Sequence, residues 1–228
     1  LFQGRIFCAD CGRPMYLHKH RMDGYENRWY GAYDCASRQK HPSERCASHN
    51  IQKAMLDPKV LEAIRLQVKS ALDYEDLIAR LRNTKAEKSI RNQLNNTISS
   101  VSLRMNGLQK KRTRLYEDYI EGILDEAEYT FAKKTYDDEY EMLDRQLNEL
   151  MERRNAYMEA MSSDNKWITL MKGVRNAKKL TQELVDTVVD RVLVYEDRSI
   201  EVIMKYQDVY ELTVKYTDEI RKEAEANG

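Results

Sequence analysis

Four cysteines, Cys8, Cys11, Cys35 and Cys46, are the chain's full set, and all lie in its first fifth. Cys8 and Cys11 belong to Phe-Cys-Ala-Asp-Cys-Gly-Arg-Pro, residues 7–14. That Cys-x-x-Cys spacing serves three chemistries: a dithiol redox couple, half of a disulfide framework, or half of a metal site. A redox couple needs the motif to open a helix after a buried strand, whereas Gly12 and Pro14 make a tight turn. Disulfide frameworks belong to small secreted domains; here 33% of residues are charged and no secretory signal is visible. The metal reading fits better. A knuckle turn aims both thiolates at one ion, and Gly12 tolerates the backbone angles this requires. Cys35 and Cys46 complete a four-thiolate set, which suits zinc and leaves no open position for catalysis. Ten residues separate that second pair. His41 and His49 are therefore rival ligands, although an exposed loop position is the plainer reading of each.

The elements that must hold these ligands are short strands. Arg5-Ile6-Phe7 enters the knuckle, Met15–His20 leaves it with alternation, and Arg28–Cys35 is aromatic-rich and leads to the third ligand. A small antiparallel ribbon results, too small to fold on buried apolar area alone, so metal supplies much of its folding free energy. Residues 5–56 carry nine Lys/Arg against five acids. Lys19, Arg21, Arg28 and Lys40, near Tyr16, Tyr25, Trp29 and Tyr30, suit a phosphate backbone. A merely solvated surface with a small basic excess is an equal reading of this feature by itself.

Asp57-Pro58 has the form of an N-cap and first helical position, with Val60, Leu61, Ile64 and Val68 on one face and a break near Leu72–Asp76. Beyond it, Leu94, Ile98, Val101, Met105, Leu108, Arg112, Leu115 and Tyr119 step 4-3-4-3-4-3-4. Tyr136, Tyr140, Leu143, Leu147, Leu150, Arg154, Tyr157 and Met161 step identically. Two such seams predict a coiled coil. Gly122 ends the first helix, and Asp125 with Glu128 opens the second. So short a link forces an antiparallel hairpin, with arms of some 45 residues extending roughly 65 Å. Residues 82–114 hold nine Lys/Arg and one acid, and residues 117–152 hold thirteen acids and three Lys/Arg, which selects pairing between the arms. Tyr119, Ile120, Ile123, Leu124 and Tyr129 exceed what a two-helix seam needs. They either pack the turn or form a partner site.

After a loop at residues 162–166 comes a short helix, then a helix capped by Thr181 and running to Asp190. Strands follow at Val192–Glu196 and Ser199–Tyr206, and Tyr210–Tyr216 is a candidate third. The expected class is α+β: a small zinc-ribbon β unit with short helices, interrupted by a long antiparallel two-helix coiled coil. Residues 1–74 form the zinc ribbon and linking helix, 75–161 the hairpin, and 162–228 the return helix and strands that complete the zinc domain. Net charge is zero, so no whole-molecule attraction to polyanions is expected, and no apolar run reaches a membrane span. Residues 1–4, Leu-Phe-Gln-Gly, have the form of a protease-site remnant. They equally make a native apolar lead into the first strand, which Ile6 and Phe7 continue.

In order, these parts resemble the C-terminal portion of large serine recombinases, the integrases and transposases of phages and other mobile elements. The resemblance rests on LFQGRIFCADCGRPMY followed by YDC and a fourth cysteine, on the turn YIEGILDEAEYTFAK, and on LVDTVVDRVLVYEDRSIEVIMKY. It implies zinc at Cys8, Cys11, Cys35 and Cys46, binding of double-stranded attachment-site DNA by the zinc unit, and subunit contacts through the coiled coil. It implies site-specific integration and excision by a parent enzyme acting in a bacterial cytoplasm. The catalytic serine domain of that enzyme lies upstream, so the present residues are not expected to cut DNA. A recombination directionality factor is a further implied partner. The competing class is a structural coiled-coil adaptor with a stabilising zinc ribbon and no nucleic-acid role.

Overall fold

The computed structural model describes residues 1–24, 28–37, 46 and 49–226. They form an α+β chain of two compact units, residues 1–77 with 163–211 and residues 78–162 with 212–228.

Among the described residues, the first unit holds two three-stranded sheets. In one, β1 (Ile6–Cys8) pairs in parallel with β5 (Val189–Val194), so that Cys8 faces Val194, and β5 pairs antiparallel with β6 (Ile200–Met204). In the other, β2 (Met15–Arg21) and β3 (Trp29–Cys35) form an antiparallel ribbon, and β3 continues onto β4 (Asn50–Gln52). Helix α1 (Lys53–Leu81) follows at once. It begins ahead of the expected cap at Asp57, with Pro58 inside it, and Lys53 pairs with Asp57 across its first turn. It also passes through residues 72–76 without a break. The interruption comes later, where Asn83 takes a left-handed conformation (φ 65°) and Thr84 caps the next helix. Further on lie α4 (Lys166–Gly173) and α5 (Gln182–Val188). Trp167 of α4 is fully buried, its ring 6.0 Å from Tyr74 and 4.7 Å from Tyr210, and its indole N–H donates to Gln67 at 3.1 Å. A buried indole must find such an acceptor. Thr181 caps α5 as expected, but strand geometry starts at Val189, earlier than Val192.

The second unit is built on α2 (Lys85–Ile120) and α3 (Glu126–Ala160), which pack antiparallel. Val101, Met105, Leu108 and Leu143 form the buried seam, flanked by Tyr136, Tyr140, Leu147 and Leu150. The helices have 36 and 35 residues, roughly 50 Å each and shorter than expected. Seam residue Arg112 keeps its charge in company: its guanidinium lies 2.7 Å from the Asp137 carboxylate and 5.1 Å from the Tyr140 ring centre. Gly122 (φ 74°) ends α2, and Asp125 and Glu128 form a complete capping box.

The expected third strand at Tyr210–Tyr216 is instead part of α6 (Gln207–Ala226). Its β-branched and aromatic residues favour a strand, but burial recurs at Val209, Thr213, Tyr216, Thr217 and Ile220, a helical spacing. The tertiary period overrides propensity here. Residues 212–228 accordingly cluster with the hairpin rather than with the zinc domain, as when the Tyr216 hydroxyl donates to the Arg153 carbonyl at 3.4 Å.

Leu143 is 0% exposed at the centre of the seam, whereas Ile123 is 65% exposed. Leu143→Ala should destabilise the hairpin by about 2–5 kcal/mol, and Ile123→Ala by about 0.5 kcal/mol or less. Urea unfolding followed by helical circular dichroism measures both.

Candidate metal centre and nucleic-acid surface

Cys8 ends β1 and Cys35 ends β3, both buried, while Cys11 lies in the knuckle and Cys46 precedes β4. Gly12 adopts φ 68°, and its N–H donates to the Cys8 carbonyl at 2.9 Å, closing the knuckle. The knuckle is anchored on both sides. The Cys8 N–H donates to the Arg13 carbonyl at 2.9 Å, and the Ala9 N–H donates to Val194 of β5 at 2.9 Å. Cys35 is tied to the fourth ligand's segment by its N–H on the His49 carbonyl at 3.2 Å.

The four sulfurs lie within 4.8 Å of one another. Cys8 and Cys46 are 3.4 Å apart, Cys11 and Cys35 3.4 Å, and Cys35 and Cys46 3.9 Å. All four cysteines are free. Four sulfurs bound at ~2.3 Å around one tetrahedral ion would stand about 3.8 Å apart, so the cluster has the dimensions of a closed four-thiolate metal site. Burial pushes the Cys8 thiol up. Burial and the neighbouring sulfurs push Cys46 up much further. Burial acts in the same direction on Cys11, but the Ser37 hydroxyl, the Arg13 backbone N–H and the adjacent thiols outweigh it and bring it down to about 6.

His49 is not the exposed loop residue expected. It is 2% exposed, with Nδ1 3.0 Å from Cys46 Sγ and Nε2 3.1 Å from the Asp10 carboxylate. It therefore braces a ligand from outside the four-sulfur cluster. Its position three residues after Cys46 was visible in the sequence; its partner Asp10, inside the knuckle, carried no separate signal. Ser37, 3.4 Å from Cys11 Sγ, was likewise missed. His41 lies outside the described residues.

Of the candidate DNA contacts, Lys19 and Arg21 are exposed on β2, and Arg28 is exposed just before β3. Lys40 lies outside the described residues, as does Tyr25. Strand register sets Lys19 opposite Gly31 and Arg21 opposite Trp29, so both cations share one face of the ribbon. On the other face His20 Nε2 is 2.7 Å from the buried Asp34 carboxylate, and its ring stacks on Tyr30.

The candidate partner residues divide into two sets. Tyr119 and Tyr129 stack on each other with ring centres 4.4 Å apart. Ile120 and Ile123 are exposed, with Leu124 half-buried beside them. The tip thus contains both a packed turn and uncovered apolar surface. Tyr116 and Phe131 extend the exposed set.

Residues 1–65 match the model of the recombinase zinc beta ribbon domain. A solved chain, described as "Crystal Structure of a LSR-DNA Complex", is similar at 14% identity and a TM-score of 0.35, covering 88% of this chain. The present chain spans about half of that one, 54% of its length. No curated protein matches the chain. Among the described residues, no helix is long and apolar enough to cross a membrane.

Because only the thiolate is nucleophilic, alkylation begun at pH 7 as the metal is withdrawn, before the ribbon loses its fold, should take Cys11 first, since its surroundings bring its pKa down to about 6. Cys8 and Cys46, both raised, remain thiols at that pH. Lowering the pH below about 6 should remove the selectivity, because Cys11 is then protonated as well. Peptide mass mapping after brief iodoacetamide treatment reads the order.

Proposed function

Because residues 1–65 match the model of the recombinase zinc beta ribbon domain, we propose that this protein is the DNA-binding and synapsis-controlling C-terminal part of a large serine recombinase. The observation that carries the reading is that this match coincides with the four-thiol cluster. The ion is zinc: thiolate-only coordination at these spacings suits it, and a closed set makes the site structural. It would be held by Cys8, Cys11, Cys35 and Cys46, and it would neutralise thiolates that otherwise repel one another.

The ribbon binds the attachment-site duplex, with Lys19, Arg21, Arg28 and Lys40 on its phosphates. Exposure of the first three supports this assignment. The coiled-coil hairpin makes contacts between subunits through Tyr119, Ile120, Ile123, Leu124 and Tyr129, and a directionality factor acts on that choice of partner. Strand cleavage belongs to a serine domain of the parent enzyme and not to these residues, and the whole acts on DNA in the bacterial cytoplasm.

One experiment tests metal and DNA together. The protein should contain about one zinc per chain and bind a half-site duplex. Cys35→Ser should abolish both while leaving the hairpin helical by circular dichroism. Lys19→Ala and Arg21→Ala should keep zinc, weaken binding across sequences, and each lower the slope of log K against log salt by about 0.9. A zinc-loaded protein that binds no duplex would point instead to a structural adaptor.

For the hairpin, weak concentration-dependent self-association is expected, because an identical apolar tip on a second copy makes a self-complementary contact. Ile123→Asp or Leu124→Asp should abolish it in sedimentation velocity while sparing zinc and single-site DNA binding. Tip variants of the parent enzyme that pair two sites normally would make the hairpin a spacer.

A further inference from the structure

The chain has two tryptophans, and the structure treats them oppositely: Trp167 is 0% exposed and Trp29 is 60% exposed. Trp29 opens β3, on the ribbon face that also carries Leu17, Lys19 and Arg21. Leu17 is 49% exposed. A β-carbon added at Gly31 would approach Leu17 Cδ1 to 3.2 Å, so the absence of a side chain there lets Leu17 lie flat across the ribbon. Trp29, opposite Arg21, and Leu17, reaching toward Gly31 opposite Lys19, thus put exposed apolar surface on the face that carries both cations, and exposed Arg28 precedes Trp29. The acid of β3, Asp34, faces the other way and is held by His20; Asp23 lies in the turn beyond the strand.

An indole left in water forfeits a burial that would stabilise the fold, so the fold does not account for Trp29. A surface of cations alone holds phosphate without an apolar grip. A two-stranded β-ribbon fits the major groove of a duplex, where base edges and methyl groups offer apolar contact. We infer that Trp29 is the apolar anchor of the DNA contact, pressed against the groove wall while Lys19 and Arg21 meet the flanking phosphates. The inference rests on the ribbon's being the DNA-binding element. It adds a contact of different physical character: the cation contacts weaken as salt rises, because they release counterions, whereas the indole contact does not.

That difference supplies the test. Binding of the full chain to a fluorophore-labelled mixed-sequence duplex is followed by anisotropy across a salt series. Trp29→Ala should weaken binding by about tenfold at every salt concentration with an unchanged salt slope. Trp29→Phe should recover part of the loss, and zinc content and circular dichroism should match the parent. Lys19→Ala, by contrast, should flatten the slope. In the unsubstituted protein, acrylamide should quench the Trp29 emission, and saturating duplex should remove that accessible fraction while Trp167 stays silent. If the parent binds duplex but Trp29→Ala binds equally well and quenching is unchanged, the anchor role is overturned and the DNA-binding reading survives. A changed slope for Trp29→Ala would also overturn it. If the parent binds no duplex, the underlying reading fails and takes this inference with it.

Discussion

The three-residue pairing of β1 with β5 is the constraint on which the first unit depends. A strand of three residues has no independent stability, yet Cys8 is its last residue, and the knuckle's first turn hangs from Val194 through the Ala9 N–H. The partner strand arrives only after the chain has traversed α2 and α3. The metal centre therefore requires residues from both ends of the chain, and the hairpin is an insertion within the unit it interrupts. It follows that residues 1–65, although they contain all four thiols, lack the strand that holds the first of them in place.

The thiols then impose their own requirement. Sulfurs 3.4–3.9 Å apart cannot all ionise without a cation between them, and the opposed shifts of Cys11 and Cys46 express that conflict. Metal binding removes it by taking the protons away. The surroundings are arranged accordingly: Ser37 and the knuckle N–H groups favour the Cys11 thiolate, and His49, itself against Asp10, stands at Cys46. The face that carries Lys19, Arg21 and Trp29 is built on β2 and β3, and β3 delivers Cys35. The same strand thus carries a ligand at one end and Trp29 at the other.

What was legible in the sequence was whatever depends on spacing. The Cys-x-x-Cys-Gly turn, the two 4-3 seams, Gly122 and the Asp125–Glu128 box are local patterns with one physical meaning each. The errors arose where local signals compete with packing. Asp57-Pro58 is a good helix start, but the chain leaves β4 directly into α1, so the helix is already running when it reaches the proline. Tyr210–Tyr216 has strand-forming residues on a helical burial period. His49 looked like a loop residue because nothing local to it encodes contact with Asp10, which is distant in sequence. Trp29 was noted only as an aromatic near cations. Its separation from the core needed the register that sets it opposite Arg21.

In the hairpin, cohesion and selection come from different groups. The cross-arm pairs Arg104–Glu139 and Arg112–Asp137 are at least one-third exposed, and such pairs are worth about 1 kcal/mol or less. The apolar seam around Leu143 is the source of stability. The charges act on alternatives: two basic arms or two acidic arms laid together would repel, so a copy of the chain cannot exchange arms for a like one. Where the seam runs out, apolar side chains lose the facing helix that would cover them. That place is the turn, where Tyr119 and Tyr129 consume each other's faces and Ile120, Ile123 and Phe131 remain uncovered. Charge segregation thus selects the antiparallel pairing of the arms, while the capped turn leaves apolar side chains outside the seam, so pairing and exposed surface are set by different groups of the same hairpin.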